Sequence, residues 1–269
     1  MPVISRRALL RCAITATAMH VAIPSRDVAA GTMAIDPQLK ARIKAISNIF
    51  ETGRQAPDYA YVEDLRDGRG YTVSQYGFCT YADEVSAVIR EMLHDSPHTP
   101  LQAFLAKLPP LEDGLDIAAL RALPAVWRNE ARASPSLPSA CDIVGDRLFF
   151  DPSQHAAAMA GVHLPVGRAI FYDTWLQHGD GSDADSFAAI NRRAIAETGG
   201  IGKVGEAAFL AGFLGVRRAV LESPANDDTA EAWKASASRV DALAALLAHN
   251  PDLAPPFHVA SADHDELVF

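Results

Sequence analysis

The stretch Phe50-Glu51-Thr52-Gly53, and after a short interval Tyr61-Val62-Glu63-Asp64-Leu65-Arg66-Asp67-Gly68-Arg69-Gly70-Tyr71-Thr72, leads the chain out of a helix and into a tight hairpin. Upstream, Asp36-Pro37 has the form of a helix cap with proline in the first turn. Leu39, Ile43, Ile46 and Phe50 then recur at helical spacing until Gly53 stops the run. Glu51 therefore falls in the last turn of an amphipathic helix. Tyr61 and Val62 favour extended backbone, Asp67-Gly68 is a strong turn dipeptide, and Tyr71-Thr72-Val73 resumes a strand. Two carboxylates, Glu51 and Asp67, thus stand sixteen positions apart on separate rigid supports. Chemistry that protonates one side of a bond while activating water on the other needs such a pair.

Beyond the hairpin the pattern is almost wholly helical, so the fold class is mainly α (α+β). Thr80-Tyr81-Ala82-Asp83 has the form of a capping box ahead of Val85, Val88, Ile89 and Met92. Prolines at 97, 100, 109 and 110 bracket a short helix around Phe104. The spacing predicts helices over 118–131, disturbed at Pro124, from Asp151-Pro152 onward, over 169–177, over 206–221 and over 230–248. The Ser/Pro-rich run 133–138 is the best internal boundary, 180–185 is a polar loop, and the tail after Pro255 reads as irregular and solvated, His258 and His264 included.

The 269 residues carry a formal net charge of −9, but the first thirty hold Arg6, Arg7, Arg11 and Arg26 against Asp27, which leaves −12 on the remainder. An acidic body repels nucleic acid and anionic membrane and attracts a cationic ligand. Ser5-Arg6-Arg7-Ala8-Leu9-Leu10 followed by an alanine-rich stretch and a small-residue exit near Val28-Ala29-Ala30 reads as a removable twin-arginine export signal over 1–30. The plainer alternative is a disordered basic tail. A secreted, extracellular or periplasmic location follows from the first reading, with 31–269 as one catalytic domain of two lobes. No later segment is apolar enough to span a membrane. Export permits a disulfide between Cys79 and Cys141 without requiring one.

The turn itself excludes two other readings. A calcium loop fails because Leu65 occupies a ligand position and no glutamate closes it. Gly68-Arg69-Gly70 lacks the third glycine and the strand-to-helix context of a nucleotide fingerprint. No metal or cofactor is expected, because His258, His264 and the acidic tail fit no ligand spacing. Phe50 and Tyr59 flank Glu51 with apolar surface, which suits a proton donor, and a hydrogen-bond-rich turn beside Arg69 suits an ionised Asp67 acting as base.

Taken together, Phe50-Glu51, Tyr61 to Thr72 and Gly77-Phe78 closely resemble the chitosanases of glycoside hydrolase family 46, and the likeness runs from about Asp36 to Pro256. The resemblance implies a lysozyme-like fold of two mostly helical lobes with a small sheet, flanking a substrate cleft. It implies endo-acting, inverting hydrolysis of β-1,4 glucosamine linkages in chitosan by a monomer. Glu51 matches the general acid, Asp67 the general base, and Thr72 the threonine that helps hold the attacking water. Inversion leaves room for that water, with carboxyls roughly 6.5–9.5 Å apart or more. Arg69 matches the arginine beside the base.

Asp83 matches a residue that contacts a substrate amine, which a carboxylate distinguishes from a neutral acetamide by a charge-assisted hydrogen bond. Glu63 adds negative charge nearby. Asp173, in Phe171-Tyr172-Asp173-Thr174-Trp175, matches a buried aspartate whose partners correspond to Arg217 and, after an insertion near residues 229–233, Arg239. That trio is expected to orient the catalytic lobe, with His178 a structural hydrogen-bonding residue. Peptidoglycan or chitin hydrolysis on the same broad fold, and a chitosan-binding module without turnover, remain the alternatives.

Overall fold

The computed structural model describes residues 35–64, 70–109, 115–225 and 230–269. Residues 1–34, with the expected export signal, and residues 65–69, Asp67 and Arg69 among them, therefore lie outside the described residues. The chain forms two compact units: one is Ala56–Phe150, and the other joins residues 35–55 to Asp151–Phe269. The chain thus passes from one unit to the other at residues 55–56 and returns at 150–151, not in the Ser/Pro-rich run 133–138. That run instead opens a helix: Pro135 takes the cap position, and Pro138 falls in the first turn, where no backbone donor is needed.

In the first unit, β1 (Val62–Asp64), β2 (Tyr71–Val73) and β3 (Phe78–Cys79) form an antiparallel sheet in the order β1-β2-β3. Val62 pairs with Val73, Glu63 with Thr72, and Thr72 in turn with Cys79. Gly70 enters β2 with φ of 87°, and a Cβ there would lie 2.3 Å from the Thr80 hydroxyl, so only glycine fits. Thr80 is not the helix cap that its spacing suggested. Its Oγ1 accepts from the Tyr71 N–H at 2.8 Å, and α2 (Glu84–Asp95) starts later, with Asp83 at the cap position. The backbone donor opening β2 and the helix end compete for one hydroxyl, and the sheet takes it.

A 3-10 helix (Pro100–Lys107), a 3-10 turn (Ala118–Leu120), α3 (Leu123–Ala133) and α4 (Ser136–Gly145) complete this unit. Pro124 does not disturb α3, because it stands in the first turn. Trp127, Leu137, Val88 and Phe78 are fully buried, and Phe149 stacks on both Tyr76 and Phe78. Cys79 and Cys141 are both buried, and no disulfide joins them. A π-helical segment (Asp146–Phe150) continues α4 directly into α5 (Asp151–Ala160).

The second unit begins with α1 (Pro37–Thr52), whose Asp36 cap accepts from the Leu39 N–H and whose Gly53 closes the helix in the left-handed region at φ 69°. It buries Ile43, Ile46 and Ile49. After α5 come α6 (Pro165–His178), α7 (Phe187–Thr198), α8 (Ile201–Val204), α9 (Glu206–Glu222), α10 (Ala230–Ala235) and α11 (Ser238–His249). The stretch 230–248 is thus two helices. α6 is buried on nearly every side, from Val166 to His178, as expected of a central helix. Phe171, Phe187 and Phe213 pack ring against ring around it.

The segment after Pro255 is not an irregular tail. β4 (Phe257–Ala260) and β5 (Asp265–Val268) form an antiparallel hairpin that buries Phe257, Val259 and Val268. Alternating burial along Phe257-His258-Val259-Ala260 is the period-two signature of a half-buried strand. Among the described residues no helix is long and apolar enough to cross a membrane.

Candidate active site

Glu51 stands in the last turn of α1, with its side chain 14% exposed. Its Oε1 accepts from Arg239 Nη2 at 2.9 Å. The same guanidinium nitrogen donates to Asp173 Oδ1 at 2.7 Å, while Arg217 Nη2 donates to Asp173 Oδ2 at 2.7 Å. Ser47 Oγ, one helical turn before Glu51, adds a third hydrogen bond to Asp173 Oδ1 at 3.1 Å. Asp173, Arg217, Arg239 and Glu51 therefore share one cluster. The pairing of Asp173 with the two guanidiniums is what makes the burial tolerable, since an uncompensated interior charge costs several kcal/mol.

Burial alone raises the Asp173 carboxyl, but Arg239 and then Arg217 overcome it and hold the group down at about 2. Burial pushes the Arg217 guanidinium down to about 10 despite Asp173. Arg239 is also desolvated, yet Asp173 and Glu51 together hold it above its ordinary value. Arg239 is thus the most firmly charged member and the one that touches Glu51. It also lies over the Phe50 ring, 5.1 Å from the centroid.

A second layer fixes Arg217. Gln177 Oε1 accepts from its Nη2, and Gln177 Nε2 donates to Ser236 Oγ at 2.8 Å. His178 Nδ1 meets the Asp185 carbonyl at 2.8 Å, which makes it the donor, so Nε2 is left to accept from Arg217 Nε at 3.4 Å. Burial, then the neighbouring Arg217, pushes His178 well below its ordinary value, so the ring is neutral and structural. The ring also packs edge-on against Trp233.

Ser47 and Gln177 escaped the reading of the sequence. Their signal was there: Ser47 precedes Glu51 by four positions, and Gln177 follows Asp173 by four, so each shares a helix face with a residue already singled out.

In the first unit Thr72 is buried in the central strand, with its hydroxyl 3.8 Å from Cys79 Sγ. Glu63 on β1 accepts from the Tyr61 hydroxyl. Asp83 is engaged from its own helix: both carboxylate oxygens lie within 3.3 Å of Arg90 Nη1, and Ser86 Oγ donates to Oδ1. Its side chain is still 41% exposed. Asp83 makes no side-chain capping bond to α2, while Glu84 Oε2 accepts from the Cys79 N–H of β3 at 2.8 Å. Asp67 and Arg69 lie outside the described residues. Among the described residues no group of His, Cys, Asp or Glu could hold a metal ion.

A mainly helical fold with a partly buried carboxyl on a helix end, held by a fixed guanidinium, is compatible with the proton-donor half of a glycoside hydrolase site. Residues 45–257 match the family model described as glycosyl hydrolase family 46, and the chain belongs to that family. A chitosanase of Bacillus subtilis is 36% identical over 234 residues, covering 85% of this chain and 84% of the relative. A chitosanase of Streptomyces sp. is 30% identical over 74% of this chain and 69% of its own length. Among solved structures, the Gynuella sunshinyii family 46 chitosanase in complex with chitotetraose aligns with a TM-score of 0.80 at 32% identity, over 88% of this chain and 99% of the other. The native chitosanase of Bacillus subtilis MY002 aligns equally well, at 33% identity and over its whole chain. The fold is therefore mainly α and lysozyme-like.

Proposed function

We propose that this chain is an exported chitosanase that cuts β-1,4 glucosamine linkages within the polymer by an inverting mechanism. Glu51 donates a proton to the departing oxygen, while Asp67 withdraws one from a water held by Thr72 on the opposite face. Asp83 and Glu63 meet substrate ammonium groups, and Arg69 steadies the turn that carries the base. The acidic body draws in a polycation. The enzyme acts as a monomer without a cofactor, outside the cytoplasm once residues 1–30 are removed.

The observation that supports this reading most directly is the support given to Glu51. It leaves the last turn of an amphipathic helix into a site where Arg239, itself locked by Asp173, holds one oxygen and limits its rotation. A general acid works only when its proton points at the leaving oxygen, and a fixed cation on one side of the carboxyl enforces that direction. Relatives named as chitosanases, one of them solved with six glucosamine units, supply the substrate class.

The test is proton NMR of the anomeric signals during digestion of glucosamine oligosaccharides, alongside release of reducing ends from deacetylated and fully acetylated polymer. The α-anomer appears first, and the deacetylated polymer is preferred. A first-formed β-anomer refutes inversion, and preference for the acetylated polymer refutes the substrate. Glu51→Gln lowers turnover roughly a thousandfold with binding intact, the loss of a general acid; unchanged turnover removes Glu51 from the mechanism.

A further inference from the structure

The hairpin at the end of the chain closes on the same helix end that presents Glu51. Gln55 Nε2 donates to the Leu267 carbonyl on β5, and the Gln55 carbonyl accepts from Asn48 Nδ2 at 3.0 Å. The His264 ring covers Gly53, the left-handed residue that ends α1. A Cβ at position 53 would fall 2.9 Å from both Nδ1 and Cε1 of that ring. The ring is set by the hairpin turn, where the Ser261 N–H donates to the His264 carbonyl at 2.7 Å. The other strand, β4, packs against α11, the helix that carries Arg239. One hairpin therefore packs on both of the helices that carry the Glu51–Arg239 pair. The family match stops at residue 257, so Leu267 and His264 stand beyond it.

We propose that Gln55 and His264 are positioning residues for the general acid: through the C-terminal hairpin they fix the last turn of α1, and with it the direction of the Glu51 carboxyl. This rests on the reading of Glu51 as the acid. Glu51 lies two residues before Gly53 and four before Gln55, so a shift of the helix end moves its side chain directly. Movement of a catalytic group by about 1 Å costs as much as a hundredfold in rate. Binding is spared, because neither Gln55 nor His264 is asked to touch the sugar.

The test uses the full chain and two glucosamine oligosaccharides, one with its natural sugar leaving group and one ending in a 2,4-dinitrophenyl group that departs without protonation. Replacing Gln55→Glu together with His264→Ala lowers kcat on the natural substrate by roughly tenfold, with KM within about twofold, and leaves the dinitrophenyl substrate within about twofold of normal. Gln55→Lys, which keeps an N–H donor for the Leu267 carbonyl, retains nearly full kcat on both. Equal losses on both substrates, or no loss on either, overturn the proposal. Glu51→Gln separates the two layers of argument. If it shows the leaving-group pattern and the hairpin variants do not, only the positioning role fails. If it shows no such pattern, the assignment of the acid fails instead.

Discussion

Each unit holds an aspartate at the centre of a polar cluster, and the two are satisfied by opposite means. In the second unit Asp173 is wholly buried between the guanidiniums of Arg217 and Arg239. In the first, Asp142 is half-buried and accepts from two phenols, Tyr59 at 2.7 Å and Tyr76 at 2.6 Å. Burial and the hydrogen bond to Asp142 both push the Tyr59 hydroxyl above its ordinary range, so it serves as a permanent donor. Guanidiniums bring full charges, which travel onward: Arg239 passes from Asp173 to Glu51. Phenols bring only dipoles, which end where they bond. The charged cluster therefore reaches Glu51, the proposed acid, and the phenolic one is a brace. Tyr59 carries that brace toward the sheet, since its carbonyl accepts from Trp127 Nε1 at 2.9 Å and Arg128 Nη2 donates to the Val62 carbonyl at 2.8 Å.

The sharpest way to break this comparison is Asp173→Ala, which strands two buried guanidiniums with Glu51 as their shared counter-charge. We expect a loss of about 3–5 kcal/mol in denaturant unfolding, together with most of the activity. A loss below about 1 kcal/mol would mean that the cluster is no more demanding than a surface pair.

The counterpart is Tyr59→Phe combined with Tyr76→Phe. Removing both phenol donors from Asp142 costs about 1–3 kcal/mol of stability, while kcat measured well below the melting temperature stays within about twofold. A large fall in kcat at unchanged stability would show that the phenolic cluster reaches the chemistry too.

The smallest effect concerns pH. His178 is held neutral, below its usual value of 6.5, so it adds nothing to the pH dependence of stability above that value. Below it, the unfolded chain takes up a proton that the folded chain refuses, and stability falls by up to about 1.4 kcal/mol per pH unit. Asp173 acts in a lower window. Its folded value of about 2 lies under the ordinary 3.8, so its contribution is complete above 3.8 and disappears as pH falls through about 2. His178→Gln should flatten the slope between pH 6 and 4.5 by up to about 2 kcal/mol over that range, read from urea midpoints, and leave the lower window in place. An unchanged slope would place the titration elsewhere.

Much of the local structure was legible because short-range rules decide it. Asp36-Pro37 and Gly53 mark the ends of α1 to the residue, and the apolar spacing between them names the buried face. Val62 and Tyr71-Thr72-Val73 fall in paired strands, with Tyr61 immediately ahead of β1. The third strand, Phe78–Cys79, is two residues long and too short to announce itself. Thr80 and the 133–138 run misled for a common reason. A hydroxyl or a proline is compatible with more than one partner, and distant groups make the choice: the Tyr71 N–H for Thr80, and packing of α4 for the prolines. The C-terminal hairpin hid for the same reason: His258 is exposed on β4, as its sequence suggests, and only the pairing of β4 with β5 against α1 brings His264 over Gly53.

By itself the sequence determined the helix that presents Glu51, the strands on either side of the Asp67 turn, and, through its motif, the family. Those are properties of neighbours in the chain, set by caps, periodicity and turn chemistry. Only the tertiary structure decided that one nitrogen of Arg239 bridges Asp173 and Glu51 across 188 residues of chain. No local rule carries that pairing. It arises because α1, α6, α9 and α11 pack together and leave Asp173, Arg217 and Arg239 out of water, where charges can be buried only by pairing with one another.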